Sequence, residues 1–419
     1  MQLFFLAFIL NPLIVIISTY FFPFIFGRLY KSTLIFGILL TLLWLCFSLY
    51  GIDIDSYFTF DGEYYYERLF NCLNYNSCQI GIEIRNFGFD IFLKNWYSFL
   101  SYIGLLNIND SNFYIFLQIN VLLGILTINI ILDIKNKYIG SFFDKKNIFL
   151  LSCPLFICFS LQLDREILIA FLVSLMIKMF IKKQYIFTFI FLLFLIPLRP
   201  VFFIILVFTF LIYVFFKFLR KFLQTRNISL KILLPILIIF FISITSYIIL
   251  GSQNDYFLRV FLNKNNSGLT LFISNLPFLI RSTAYVILSF FTPFINFQAL
   301  NRPDPIDFIL SFTGLWNLTL FIYVFLNRFK FKISNYLDKD FIYPVFLCLI
   351  FSIFTYQGLL FNVRHSVQFY PILFLFLYLL SFNNSRISNL SFVDKFSQKS
   401  LITSFGIALA IEIPLSILI

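Results

Sequence analysis

The chain has 419 residues, 61% of them apolar and 12% charged. Soluble globular domains run at roughly 45–50% apolar and about 25% charged, so a single water-solvated core is excluded and a chain solvated mainly by lipid is implied. A formal charge of +12 suggests a nucleic-acid partner only until it is mapped. Residues 53–111 hold eight acids against three bases, and most of the positive charge lies in short clusters between apolar runs; such clusters report topology. One His and six scattered Cys form no CxxC, HExxH or other ligand spacing, and no glycine-rich nucleotide motif occurs, so neither a metal nor a cofactor is expected.

A membrane span needs about 20 mostly apolar residues. Leu3 to Phe26 and Thr33 to Tyr50 qualify, with the basic Gly27–Lys31 link placed inside and the N-terminus outside. Residues 51–111 then form a large acidic outer loop, in which Phe87 to Leu100 reads as an amphipathic helix lying in the interface. Asn112 to Leu132 returns to the basic Lys135, Lys137, Lys145 and Lys146.

Three stretches, Lys146–Lys182, Lys183–Lys217 and Lys339–Arg386, begin and end on inside charges, so each crosses an even number of times. Their outer tips read Gln162–Glu166, Pro197–Pro200 and Asn362–Ser366, and every tip carries an arginine. Half of the 33 residues between Lys183 and Lys217 gives an arm of about 24 Å against a hydrocarbon thickness of roughly 30 Å. The tip at Arg199 is therefore expected in a depression, with Pro197 and Pro200 breaking the helix there. Ile232 to Leu250 and Phe308 to Leu326 span on either side of a second outer region, 251–307, where Ala284 to Phe297 reads as re-entrant or interfacial. Leu401 to Ile419 is the last span. The expected fold is all-α, one polytopic transmembrane bundle over 1–419 with about twelve spans plus re-entrant or interfacial helices on the outer face.

Charges at membrane depth usually face a cavity and mark function. The outer set is Arg165, Arg199, Arg259, Arg281 and Arg364. A guanidinium is permanently charged and pairs bidentately with phosphate oxygens, so converging arginines would hold a multiply charged anion such as a lipid pyrophosphate. The plain alternative is that they snorkel to headgroups. Asp164 and Glu166 flank Arg165; either they neutralise that tip locally, or one is a general base for a sugar hydroxyl. His365, the only imidazole, sits beside Arg364 as another proton acceptor. Asp53, Asp55 and Glu63 beside Tyr57 suit a carbohydrate, whose hydroxyls the carboxylates accept and whose apolar faces stack on rings; the alternative is an ordinary acidic outer loop. Cys72 and Cys78 on that loop would close a small disulfide ring in an oxidising compartment.

The run Tyr50–Tyr57, with Gly51, Asp53 and Tyr57, resembles the G-x-D-x-x-x-Y that follows an early span in the Wzy/EpsG-type polysaccharide polymerases of bacteria. Glu83 to Leu93 looks like that family's E-P-G-F interfacial helix without its Pro. Asp164-Arg165-Glu166 followed by Ile-Leu-Ile-Ala is similar to its R-Q-x-I-A segment, with Glu for Gln. The family's usual His in the next hairpin is replaced by Leu198-Arg199-Pro200. The resemblance spans roughly the first half of the chain. It implies an enzyme of the bacterial inner membrane joining oligosaccharide repeat units carried on undecaprenyl diphosphate at the periplasmic face, metal-independent, with arginines on the pyrophosphates and a chain-length regulator as partner. Three rivals share some of these features. A GT-C-type glycosyltransferase would use a catalytic Asp in the first outer loop, and an O-antigen ligase has the same donor chemistry. A lipid-linked-sugar flippase predicts internal repeats and mid-span charges, and the sequence shows no repeat.

Overall fold

The structure is a computed structural model and describes residues 2–49, 87–102, 113–139, 154–161 and 165–200, with single positions at 202, 203, 206, 207, 367, 368, 370, 371 and 375. The chain forms two compact units, one of Met1–Pro200, Phe294–Ser334 and Val367–Ile419, the other of Val201–Pro293 and Asn335–Ser366; every element below belongs to the first. Among the described residues all regular structure is helical. The expected spans at 232–250, 308–326 and 401–419 and the outer region 251–307 lie outside the described residues, as does most of the 51–111 loop.

Helix α1 is Gln2–Phe21 and a single turn, α2, is Pro23–Phe26, where the sequence suggests one span from Leu3 to Phe26. Proline explains the break. Its ring restricts the preceding residue to extended backbone and removes an N–H, and Phe22 sits at φ −122° and ψ 52°. Helix α3 is Lys31–Leu49, α4 is Phe87–Tyr102, and α5 is Phe113–Ile134 continuing into a π turn, Lys135–Ile139. Helices α6 (Pro154–Ser160), α7 (Arg165–Ile181) and α8 (Tyr185–Leu193) follow.

Helices α5 and α7 form the centre. They pack on each other, while α5 also meets α1, α3, α4 and α6 and α7 meets α6 and α8. Nearly all of α7 is buried. The segment Gln118–Lys137 is long and apolar enough to cross a membrane by length and composition; α1 and α3 contribute the shorter apolar runs Ile9–Phe21 and Lys31–Cys46.

Among the described residues the interior is mainly apolar but also holds polar side chains, while large apolar side chains lie on the surface. Asn11, Thr41, Gln118, Asn120, Thr127 and Ser174 are fully buried, whereas Ile17, Leu39, Ile186, Phe189 and Phe194 are exposed on α1, α3, α8 and the turn after α8. Four of the buried hydroxyls are satisfied within their own helices: Thr41, Thr127, Ser160 and Ser174 each donate to the carbonyl four residues back, at 2.7–2.8 Å. Such back-bonding needs no water.

Helices α7 and α8 make an antiparallel hairpin that turns at Lys182-Lys183. Gln184 N–H donates to Met179 O and Lys183 N–H to Phe180 O, both at 2.9 Å, with Lys183 left-handed at φ 61°. This is the Schellman arrangement, with lysine where glycine is usual. Past Leu193 the bonds tighten to three-residue spacing, Leu195 N–H to Leu192 O and Ile196 N–H to Leu193 O, because Pro197 offers no donor to continue an α-helix.

Candidate functional site

The two ends of α7 each carry a charged cluster. At its N-terminal end Arg199 Nη1 donates to Glu166 Oε1 at 2.8 Å, with the glutamate side chain 0% and the arginine 12% exposed. The hairpin brings them together. Glu166 lies 16 residues before Lys182 and Arg199 16 residues after Lys183. At the α-helical rise, Glu166 to Ile181 spans about 22 Å and Tyr185 to Arg199 about 21 Å. The equal residue counts on the two sides of the turn therefore bring Arg199 to the level of Glu166.

The turn bearing Arg199 is held from a second direction. Gly88 N–H, in the first turn of α4, donates to Pro197 O at 3.1 Å. A methyl group on Gly88 would stand 2.9 Å from Pro197 Cβ and 3.0 Å from its carbonyl carbon and oxygen, so only glycine fits this approach. Helix α4 is the amphipathic segment expected from the sequence, two residues longer than read there. Phe89, Leu93 and Leu100 are buried on one face while Ile91, Phe99 and Tyr102 are exposed on the other, and it packs on α5. Arg165, half-buried, is the first residue of α7 and adjoins Glu166.

Of the residues singled out in the sequence, the structure thus joins Arg199 to Glu166, with Arg165 the next residue along α7. Glu166 is therefore engaged by the arginine of the next hairpin, beyond the purely local neutralisation of its own tip considered above. Asp164, Arg364, His365, Arg259, Arg281, Asp53, Asp55, Tyr57 and Glu63 lie outside the described residues, as do Cys72 and Cys78. Cys46 is exposed and Cys158 buried, and neither is in a disulfide. Among the described residues no three His, Cys, Asp or Glu side chains come together.

The opposite end of α7 holds a cluster that sequence reading passed over. Lys178 Nζ lies 2.8 Å from Asp133 Oδ2. Asp133 Oδ1 also accepts from Tyr30 Oη at 3.1 Å and from the Arg28 N–H at 3.4 Å. Gly27, at φ 90°, lets the carboxylate in: a Cβ there would fall 2.4 Å from Asp133 Cγ. Asn129 Nδ2 donates to Phe26 O at 3.0 Å and Thr33 Oγ1 to Asn129 Oδ1 at 2.8 Å. Lys182 Nζ closes the group, donating to Phe24 O at 2.7 Å and standing 4.4 Å from the Phe24 ring centroid. Burial, then the cations Lys178 and Lys137, pull the Lys182 pKa down to about 8 against the opposing pull of Asp133. The signal was present: Asp133 is the lone charge in the run 113–134, and Lys178 interrupts an apolar stretch from Ile167 to Ile181.

The two clusters are separated along α7 by 12 residues, about 18 Å of helix. The Asp133 cluster ties the Gly27–Tyr30 link, α5 and α7 into one block. The Glu166 cluster places cationic residues beside the N-terminus of a buried helix, where backbone N–H groups also favour an anion. Comparison of the chain with protein-family models, with curated proteins and with solved structures finds no match.

Proposed function

We propose that the protein is a polysaccharide repeat-unit polymerase of a bacterial inner membrane, acting at the periplasmic face on lipid-diphosphate-linked oligosaccharides. The observation that carries this reading is the pair of arginines at one end of the buried helix α7, Arg165 on the helix itself and Arg199 brought over by the following hairpin. With Glu166 the trio carries a net charge of +1; for Arg364 the same role is proposed from the sequence alone. Apolar side chains turned outward on α1, α3 and α8 support a membrane bundle, and the apolar runs of the sequence give it about twelve spans. Helix α4, packed through Gly88 on the Arg199 turn, suits an interfacial element covering the site.

In this reading the arginines hold the diphosphate of the donor chain. A hydroxyl oxygen on the second lipid-linked unit attacks the anomeric carbon of the donor sugar. The bond from that carbon to the diphosphate oxygen breaks, the lipid diphosphate leaves as an anion, and the hydroxyl proton passes to an acidic or imidazole side chain. Charge developing on the leaving group is offset by fixed guanidinium groups in a site shielded from water. Asp164, Glu166 and His365 are the candidate proton acceptors, and Asp53, Asp55, Tyr57 and Glu63 the sugar-binding set.

The test is the glycan profile of a deletion strain complemented with wild type or Arg199→Ala. Polymerase activity predicts loss of the long-chain ladder with a single repeat unit retained, restored by wild type and not by the variant. Loss of every repeat unit overturns the reading and points to a ligase or an assembly transferase.

A further inference from the structure

We propose that Glu166 is a positioning residue for the Arg199 guanidinium and not the proton acceptor of the transfer. The inference rests on the polymerase reading and narrows its list of bases to Asp164 and His365. Three observations carry it. Glu166 is fully buried with Oε1 already committed to Arg199 at 2.8 Å. It stands in the first turn of α7, where the helix N-terminus favours its ionised form, so both neighbours oppose the protonation that a base must undergo. The two constraints on the Arg199 turn are also complementary. Gly88 fixes its backbone through Pro197 O, and Glu166 fixes the far end of the side chain; together they set where the guanidinium points. An arginine on a flexible tip would bind an anion in many geometries, and holding it in one removes that entropy before the donor arrives.

The experiment uses membrane vesicles from the deletion strain carrying the full-length protein, supplied with the lipid-linked repeat unit extracted from that strain. Glu166→Gln keeps an oxygen able to accept from Arg199 Nη1. It is expected to retain turnover within about tenfold of wild type, to raise KM, and to leave the acidic limb of the pH–rate profile in place, because the loss is in binding. Glu166→Ala, which removes the oxygen, is expected to be worse in KM than Glu166→Gln. Loss of turnover by about 100-fold or more in Glu166→Gln, with KM unchanged and the acidic limb gone, is the behaviour of a general base and would overturn the proposal while leaving the polymerase reading intact. Arg199→Ala separates the two levels: if it polymerises with wild-type KM, the diphosphate clamp itself is wrong, whatever Glu166 does. Should Glu166→Ala fail to reach the membrane, the glutamine variant alone still decides between the outcomes.

Discussion

A carboxylate and a guanidinium withdrawn from water together depend on each other, and removing either leaves the other stranded. For Glu166 and Arg199, breaking a buried pair of this kind costs about 3–5 kcal/mol, whereas replacing both partners by apolar groups is often close to neutral. Thermal unfolding in detergent should therefore show large drops for Glu166→Ala and for Arg199→Ala and a smaller one for the double variant than the sum of the two. Strict additivity would mean that the pair does not couple. Lys182 gives a second residue-level expectation. At pH 8 an amine with a pKa of about 8 is half neutral, while an ordinary lysine at about 10.4 is less than 1% neutral. Amine acylation of Lys182 should stand near half its plateau rate at pH 8 and fall about tenfold per pH unit well below that value; a rate still climbing tenfold per unit above pH 9 would contradict the depressed pKa. The sign for folding follows. The folded state binds the Lys182 proton less tightly than the unfolded one, so between about pH 8 and 10.5 this group makes stability rise with pH.

At the level of elements, the α7–α8 hairpin and helix α4 meet through one glycine. Gly88→Ala forces Pro197 to move and carries Arg199 with it. The expected outcome is a shortened glycan ladder at normal protein abundance, checked by blotting the membrane fraction beside the glycan gel. An unchanged ladder would mean that the turn tolerates the added methyl. Much of this geometry was legible in advance. Basic residues at 182 and 183 place the turn, the prolines place its far end, and equal counts of 16 on either side of the turn put Glu166 level with Arg199. The Asp133 cluster was not legible in the same way. Helix α5 carries a sparse polar stripe in Gln118, Asn129 and Asp133, but α7 is apolar around most of its circumference and its sequence does not say which neighbour Lys178 faces. That Asp133 meets Lys178, and that Gly27 makes room for it, emerges only when the helices are packed. The break at Phe22 was missed for another reason: a proline inside an apolar run does not always end a helix, and Pro12 lies within α1 while Pro23 starts a new turn.

For the molecule as a whole, the proposed function requires the basic Lys182-Lys183 turn and the Asp133 network on the cytoplasmic side, and α4 with the Arg199 turn on the opposite side. In a functional cysteine-free background, Lys94→Cys on the exposed surface of α4 should react with a membrane-impermeant maleimide in intact spheroplasts. Lys183→Cys should react only after permeabilisation. The reverse pattern would invert the topology and place the arginines on the wrong face for a periplasmic enzyme.

The tightened segment after α8 makes that arm a ruler. A single-residue deletion between Leu193 and Pro197 would both retract Arg199 and swing it off the Glu166 side, since each helical residue advances the chain by at least about 1.5 Å and turns it by about 100° or more. Lengthening or shortening the arm by one residue should thus be as harmful to glycan length as removing the guanidinium.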